Sequence, residues 1–344
     1  MKHLSIDIET YSSVDISSGG AYKYALSPDF EILLLSYAAD FEEVHLVYLA
    51  SGEELPTEIM EALTDPSVIK HAYNAAFEWW CLSQMYDGMD PMSWADQWHC
   101  TMLHALYCGY PAGLKLTGQA LGLSEDQLKS STGTLLINYF CKPCKPSKAN
   151  GGRTRNMPQD SPEKWEQFKA YNIQDVYAEM AIEQRLTAFP VPEGVQAGWV
   201  TDLSINSFGF MTDREVVDGA IEVSYVKMAE LMQRMQDLTG LDNPNSNVQL
   251  GKWLIDQGHP LPDLQKGTVA DALTWDLPDN IRTVLEIRQE MAKTSVTKYK
   301  AMDAAMCSDG RVRGLLQYYG ANRTGRWAGR LVQVQNLPRV YLDA

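Results

Sequence analysis

Apolar and polar residues alternate with a period of two over residues 3 to 10 (HLSIDIET), where Leu4, Ile6 and Ile8 interleave with Ser5, Asp7 and Glu9. This is the pattern of a strand with one face in a core and both carboxylates on the other. Residues 31 to 40 and 44 to 49 read as two further strands with no room for a helix between them. A helical period then recurs at about 57 to 64, 75 to 85, 100 to 108, 114 to 121 and 162 to 187, which predicts an α/β domain, a sheet flanked by helices. Pro190, Pro192 and Gly194 break the pattern, so the first domain is expected to span residues 1 to 188 and a second, mainly helical one residues 189 to 344. There Thr212 and Glu215 are spaced as a capping box. Apolar residues follow at Val216, Val217, Ala220, Ile221, Met228, Leu231, Met232, Met235 and Leu238, and Gly240 ends the run, a helix of about 27 residues. A second long helix is expected from 279 to 306, and there is no internal repeat.

The chain of 344 residues is 45% apolar, enough for a full core, and no apolar run approaches the roughly 20 residues of a membrane helix. The N-terminus opens on His3 and Asp7 rather than on a basic and then apolar leader, so a location in the cytoplasm of a bacterium or a phage-infected host is expected, without membrane contact. Six cysteines spread over this length predict reduced thiols rather than a disulfide framework. The net charge of -15 argues at first against nucleic acid. Its distribution changes that reading: residues 1 to 140 carry 5 basic and 19 acidic side chains, whereas residues 281 to 344 carry 11 and 5. An acidic front suits metal cations and a basic tail suits phosphates.

Asp7 and Glu9 stand about 6.6 Å apart along one strand face at 3.3 Å per residue, a repulsion that a bound divalent cation would relieve. Alone, a D-x-E pair is more often a solvated strand face. Tyr171 and Asp175, four apart in a helical pattern, add a phenol and a carboxylate on one face, and the segment of Asn74, Phe77 and Glu78 adds another acid at a helix start. Phosphodiester hydrolysis requires stabilisation of the attacking and leaving oxygens, which two cations about 3.5 to 4 Å apart provide.

In this order the three segments resemble the proofreading exonucleases of the DEDD group, tyrosine subtype: Asp7-Ile8-Glu9, Asn74-Ala75-Ala76-Phe77-Glu78 and Tyr171-Asn172-Ile173-Gln174-Asp175. The resemblance implies an RNase H-like fold and a 3′-to-5′ exonuclease using two Mg²⁺ or Mn²⁺ ions. Asp7 would bridge both ions, Glu9 and Asp175 would complete the tighter site, and Tyr171 would orient the attacking water. Glu78 stands where the family has aspartate and reaches one methylene further. Asn74 and Phe77 would contact the DNA 3′ end.

Residues 141 to 155 (CKPCKPSKANGGRTR) hold Lys142, Lys145, Lys148, Arg153 and Arg155 without an acid, a flexible basic loop suited to single-stranded DNA phosphates or simply a solvated linker. Cys141 and Cys144 could form half a zinc site only if His99 and Cys100 completed it, and the pair is read as incidental.

The later segments resemble the thumb and palm entry of phage-type family A DNA polymerases through Asn245-Ser246 with Gln249-Leu250, Lys293 with Thr297 and Tyr299, Thr324-Gly325-Arg326, and Gln335-Asn336-Leu337-Pro338. This implies contact of Arg326, Gln335 and Asn336 with primer-template duplex; Arg311, Arg313, Arg323 and Arg330 lie in the same acid-poor segment. The family's D-x-S-x-I-E strand, fingers helix and H-D-E turn do not occur, so the chain is expected not to incorporate nucleotides alone. An alternative is a DNA-binding subunit that docks a separate chain carrying palm and fingers.

Overall fold

A computed structural model describes residues 1–86, 88–124, 133–292 and 295–337. Its first elements are β1 (His3–Tyr11), α1 (Ile16–Ala25), β2 (Glu31–Ala39), β3 (Val44–Val47), α2 (Thr57–Thr64), β4 (Ile69–Ala72), α3 (Ala76–Ser83), β5 (Trp98–Cys100), α4 (Thr101–Tyr107), α5 (Leu114–Ala120), α6 (Gly133–Phe140), α7 (Pro162–Leu186) and α8 (Glu193–Phe208). The five strands form one mixed sheet in the order β3-β2-β1-β4-β5: β1, β2 and β3 pair antiparallel, and β4 and β5 continue parallel to β1. The fold is thus α/β, as the hydrophobic pattern predicts.

Both faces of the sheet are covered. Leu4, Ile6 and Ile8 of β1 pack with Trp79 and Trp80 of α3 and with Trp199 and Leu203 of α8. The face with the carboxylates meets α7, so it is a second interior layer rather than a solvated surface. Trp165, Phe168 and Tyr171 of α7 pack there with Leu33, Leu34 and Phe140, and Val176 and Met180 with Ala38 and Val44. Apolar burial on both sides fixes the register of β1, since a slip of one residue would put Asp7 in the apolar layer and Ile6 or Ile8 among the acids.

Packing divides the chain into two compact units, Met1–Met211 with Ala305–Gln335, and Thr212–Ala304 with Asn336–Ala344. The division therefore falls after Met211 and not at residue 188. Pro190 and Pro192 separate α7 from α8, but Trp199 and Leu203 are 4% and 0% exposed in the core of the first unit. The strand β6 (Phe210–Met211) closes this part of the unit.

The second unit is helical: α9 (Arg214–Thr239), α10 (Asn247–Asp256), α11 (Lys266–Ala272), α12 (Asp279–Met291) and α13 (Ser295–Ala305). Leu231, Met235, Leu250, Leu254, Val269, Ile281, Val284 and Leu285 form its core. The cap of α9 is Asp213, whose carboxylate accepts from Val216 N at 3.1 Å, instead of the Thr212–Glu215 box. Of its apolar stripe only Val217, Leu231 and Met235 are buried. The span 279 to 306 carries two helices where one was expected, and Lys293 lies outside the described residues, as do Pro338 and Arg339.

The chain then re-enters the first unit through β7 (Arg311–Val312), which pairs with β6, and the hairpin of β8 (Leu316–Ala321) and β9 (Arg326–Gly329). Asn206 of α8 fastens β8, accepting from Leu316 N at 3.1 Å and donating to Leu316 O at 3.0 Å.

Candidate metal-dependent active site

β1 delivers Asp7 and Glu9 to the face beneath α7, and α7 brings Asp175 down onto them. Ligand oxygens of Asp7, Glu9 and Asp175 lie within 4.8 Å of one another. Glu9 and Asp175 are buried at 7% and 3% exposure, and Asp7 is half-buried. Three carboxylates gathered under a helix repel one another strongly, which makes the trio a fitting cradle for divalent cations.

Asn172, fully buried on α7, holds Asp7 in place. Its amide donates to Asp7 Oδ2 at 2.6 Å and to the Asp7 carbonyl at 3.3 Å, while its own oxygen accepts from the Ser36 hydroxyl at 2.6 Å. Ser36 is the cross-strand partner of Asp7 in the β1–β2 ladder, so strand register, serine and asparagine all act on one carboxylate. Nothing in the sequence reading singled out Asn172; its place three residues before Asp175, on the same side of the helix, was the available signal.

Tyr171 is buried at 3% exposure and stacks with Phe168, ring centroids 6.2 Å apart. Burial and the charges of Asp175, Glu9 and Asp7 push its phenol well above the ordinary tyrosine range, so it stays protonated at neutral pH. Gly133 at the start of α6 makes room for it: a Cβ there would stand 2.2 Å from the ring. Cys141, at the end of α6, gives its thiol hydrogen to Glu9 Oε2 at 3.8 Å, and burial and the Glu9 charge push that thiol up.

Glu78 is buried at 5% on α3 and lies outside the three-carboxylate group. Its charge acts on the buried thiols of Cys81 and Cys100. α3, which carries it, packs on the apolar face of β1, whereas α7 packs on the acidic one. Beside Glu9 opens a groove of about 410 Å³ that also takes in Phe77, Tyr24, Ile137 and Lys142, so three of the residues selected from sequence share one wall. Asn74 lines a neighbouring cavity of about 260 Å³ together with Phe77 and Arg330.

The basic loop is more ordered than its composition suggests. Asn150 donates to Lys145 O at 2.9 Å and is capped by Ser147, and Cys144 N donates to Thr154 O at 2.7 Å. Arg153 pairs with Asp160 at 3.2 Å, and Arg155 pairs with Glu31 at 2.6 Å while stacking on Tyr11. Lys142, Lys145 and Lys148 are exposed. Cys141 and Cys144 join neither group of metal-capable side chains found among the described residues. In the returning segment Arg311 and Arg313 hold Gly209 O, Ser207 O and Asp309, whereas Arg326 is exposed, with its Nε donating to the Thr324 hydroxyl. Gln335 packs on Gly329, and Asn336 completes a short turn, Val334–Asn336.

The unit is thus α/β, with three convergent carboxylates, Asp7 and Glu9 on the central strand and Asp175 on the covering helix, that could hold a metal ion. Over 339 residues the chain is 49% identical to a protein named DNA polymerase from Bacillus phage SP02, the match covering 98% of this chain and 52% of that protein. The chain therefore spans about half the length of this curated relative. Among solved structures it resembles the POL domain of Pol1 from M. smegmatis in complex with DNA primer-template and dNTP, with a TM-score of 0.54 at 14% identity. That match covers 98% of this chain and 52% of the other, and at such identity it speaks to fold alone. No family model matches the chain.

Proposed function

We propose that this chain is the 3′-to-5′ exonuclease portion of a phage-type DNA polymerase, removing nucleotides from DNA 3′ ends with Mg²⁺ or Mn²⁺. The observation that carries the reading is the convergence of Asp7, Glu9 and Asp175 within 4.8 Å, with the protonated phenol of Tyr171 beside them. Asp7, Glu9 and Asp175 would hold the cations, with Glu78 a supplementary carboxylate at longer reach. When bound, the two ions supply stabilisation of the attacking water and of the departing 3′ oxygen. The chain's own residues do the rest. Tyr171 donates a hydrogen bond that orients the water, and Asn172 keeps Asp7 turned toward the cluster. The groove beside Glu9 is large enough for a terminal nucleotide, with Phe77 available for stacking and Lys142 for phosphate. Lys145, Lys148, Arg153 and Arg155 would guide the single strand toward it.

The name of the phage relative supports a place in DNA replication, and Arg326, Gln335 and Asn336 are proposed contacts to primer-template duplex. Nucleotide incorporation is not assigned to residues of this chain.

Incubation of end-labelled single-stranded DNA with Mn²⁺ should yield a ladder of shortened products. Asp7→Ala should lower the rate by at least about a hundredfold, and EDTA should abolish it. Equal activity of Asp7→Ala, or cleavage that survives EDTA, would refute the site.

A further inference from the structure

Four of the chain's six histidines, His3, His71, His99 and His104, lie together with Glu179 and Glu183 of α7, one and two turns beyond Asp175. Strand register builds the group. His71 of β4 stands opposite Ser5 of β1 and His99 of β5, and His3 lies two residues before Ser5, so all four side chains share the sheet face that α7 covers. Ligand atoms of His71, Glu179 and Glu183 lie within 4.8 Å of one another.

The hydrogen bonds of this group leave an unfilled demand at its centre. His71, 3% exposed, uses Nε2 toward His3 Nδ1 at 3.0 Å, and its Nδ1 meets no partner among the described residues. Glu179, 2% exposed, takes the Thr101 hydroxyl on Oε1 at 2.5 Å and feels the Ser5 hydroxyl, while its Oε2 makes no full hydrogen bond among the described residues. Both oxygens of Glu183 face His104 Nδ1, at 3.1 and 3.0 Å, and His104 Nε2 donates to Phe189 O at 2.9 Å. His104 thus holds Glu183 in place from the side of α4. Leaving a buried imidazole nitrogen and a buried carboxylate oxygen unmatched side by side costs about 1 to 3 kcal/mol each.

We propose that His71, Glu179 and Glu183 form a second cation site, separate from the Asp7 site, that takes a borderline transition metal ion, Zn²⁺ above all. One imidazole nitrogen and two carboxylate oxygens match zinc, whereas the Asp7 site offers oxygens only and suits Mg²⁺ or Mn²⁺. His3 acts as acceptor for the Nε2 hydrogen of His71 and so turns the Nδ1 lone pair inward, while His104 holds Glu183: this is the outer support that metal ligands require. The ion would pin β4 to α7 one turn from Asp175 and thereby fix the height of α7 over the sheet.

The test uses the untagged full chain, stripped with EDTA and carrying Asp7→Ala and Asp175→Ala to silence the oxygen-only site. After dialysis against micromolar Zn²⁺ in millimolar Mg²⁺, elemental analysis should find one zinc per chain, and X-ray absorption at the zinc edge should find an imidazole nitrogen in its shell. His71→Gln and Glu179→Gln should each weaken retention by at least about tenfold. No retained zinc, a shell of oxygens alone, or a shell containing sulfur from Cys141 and Cys144 would overturn the proposal. Retention within twofold in both variants would do the same. The absorption measurement needs only the site with its own residues in place, so it decides the matter even where the variants fold poorly.

Discussion

Replacing Asn172 with leucine keeps the volume of a fully buried side chain but deletes the amide that donates to Asp7 Oδ2. The lost bond is short, 2.6 Å, and its acceptor is a carboxylate, a class of bond that contributes about 1.5 to 3 kcal/mol. Ser36 also loses the acceptor for its hydroxyl. Without metal, Asp7 then swings away from Glu9 and Asp175, whose oxygens lie within 4.8 Å of its own. To bind a cation, the site must bring Asp7 back, and that cost appears as weakened metal affinity. At 1.4 kcal/mol per factor of ten, the expected loss is about 10 to 100-fold in the half-saturating Mn²⁺ concentration. At saturating Mn²⁺ most of the turnover should return, because Asn172 touches neither substrate nor water in the proposed reaction. The assay is hydrolysis of end-labelled single-stranded DNA over a titration of Mn²⁺, with Ser36→Ala as a milder companion that loosens Asn172 without removing it. Unchanged half-saturation in Asn172→Leu would refute the positioning role, and a turnover defect that persists at saturation would mean that Asn172 acts on the reacting groups directly.

Other outcomes follow from the same geometry. Gly133→Ala puts a methyl 2.2 Å from the Tyr171 ring, so it should cost about 1 to 3 kcal/mol in unfolding free energy and depress nuclease turnover more than metal affinity. Glu78→Gln, altering a carboxylate outside the main trio, should reduce activity far less than Asp7→Ala under identical conditions. Asp202 of α8 is buried, its Oδ1 meeting no donor among the described residues, and burial pushes its carboxyl up to about 7. Because the folded-state value lies above the unfolded one, the folded form binds the extra proton. This contribution to stability is complete at acid pH and is lost as pH rises through the window from about 4 to 7. Asp202→Asn should therefore gain on the parent protein by up to about 4 kcal/mol between pH 4 and 8 in chelator-containing denaturant titrations; parallel pH profiles for the two proteins would contradict the assignment.

The strands and helices that build the carboxylate site were legible because one short-range rule governs each. The alternation of Leu4, Ile6 and Ile8 with Asp7 and Glu9 declares a strand with two different faces, and the run through Tyr171 and Asp175 declares a helix. What alternation could not say is that the acidic face is also covered. That depends on α7, some 160 residues away in the chain, and so did the burial of Asp175 and the bond from Asn172 to Asp7. The histidine group was hidden for the same reason: His3, His71 and His99 come together only through the parallel register of β1, β4 and β5, a pairing with no local signal. β4 and β5 themselves, four and three residues long, are too short to show a period. The unit boundary was misplaced because Pro190 and Pro192 announce the end of a helix in the same way whether the next helix leaves the core or, like α8 with Trp199 and Leu203, packs back into it.

The pairing of β6 with β7 bears on how this chain is assembled and rebuilt. Phe210 faces Val312 and Met211 faces Arg311, so where the polypeptide leaves the first unit after Met211 and later returns to it, the two stretches pair as a two-stranded neck. Residues 212 to 304, most of the second unit, are thus an insertion between two parts of the first in sequence. During synthesis, α8 must wait for about a hundred further residues before Leu316 arrives to satisfy Asn206, so the first unit can close only after the helical one has emerged. In recombinant terms the neck is a graft point: a tight turn joining Met211 to Arg311 should leave the sheet, α7 and their carboxylates intact, and a foreign domain with adjacent ends should fit in the same place.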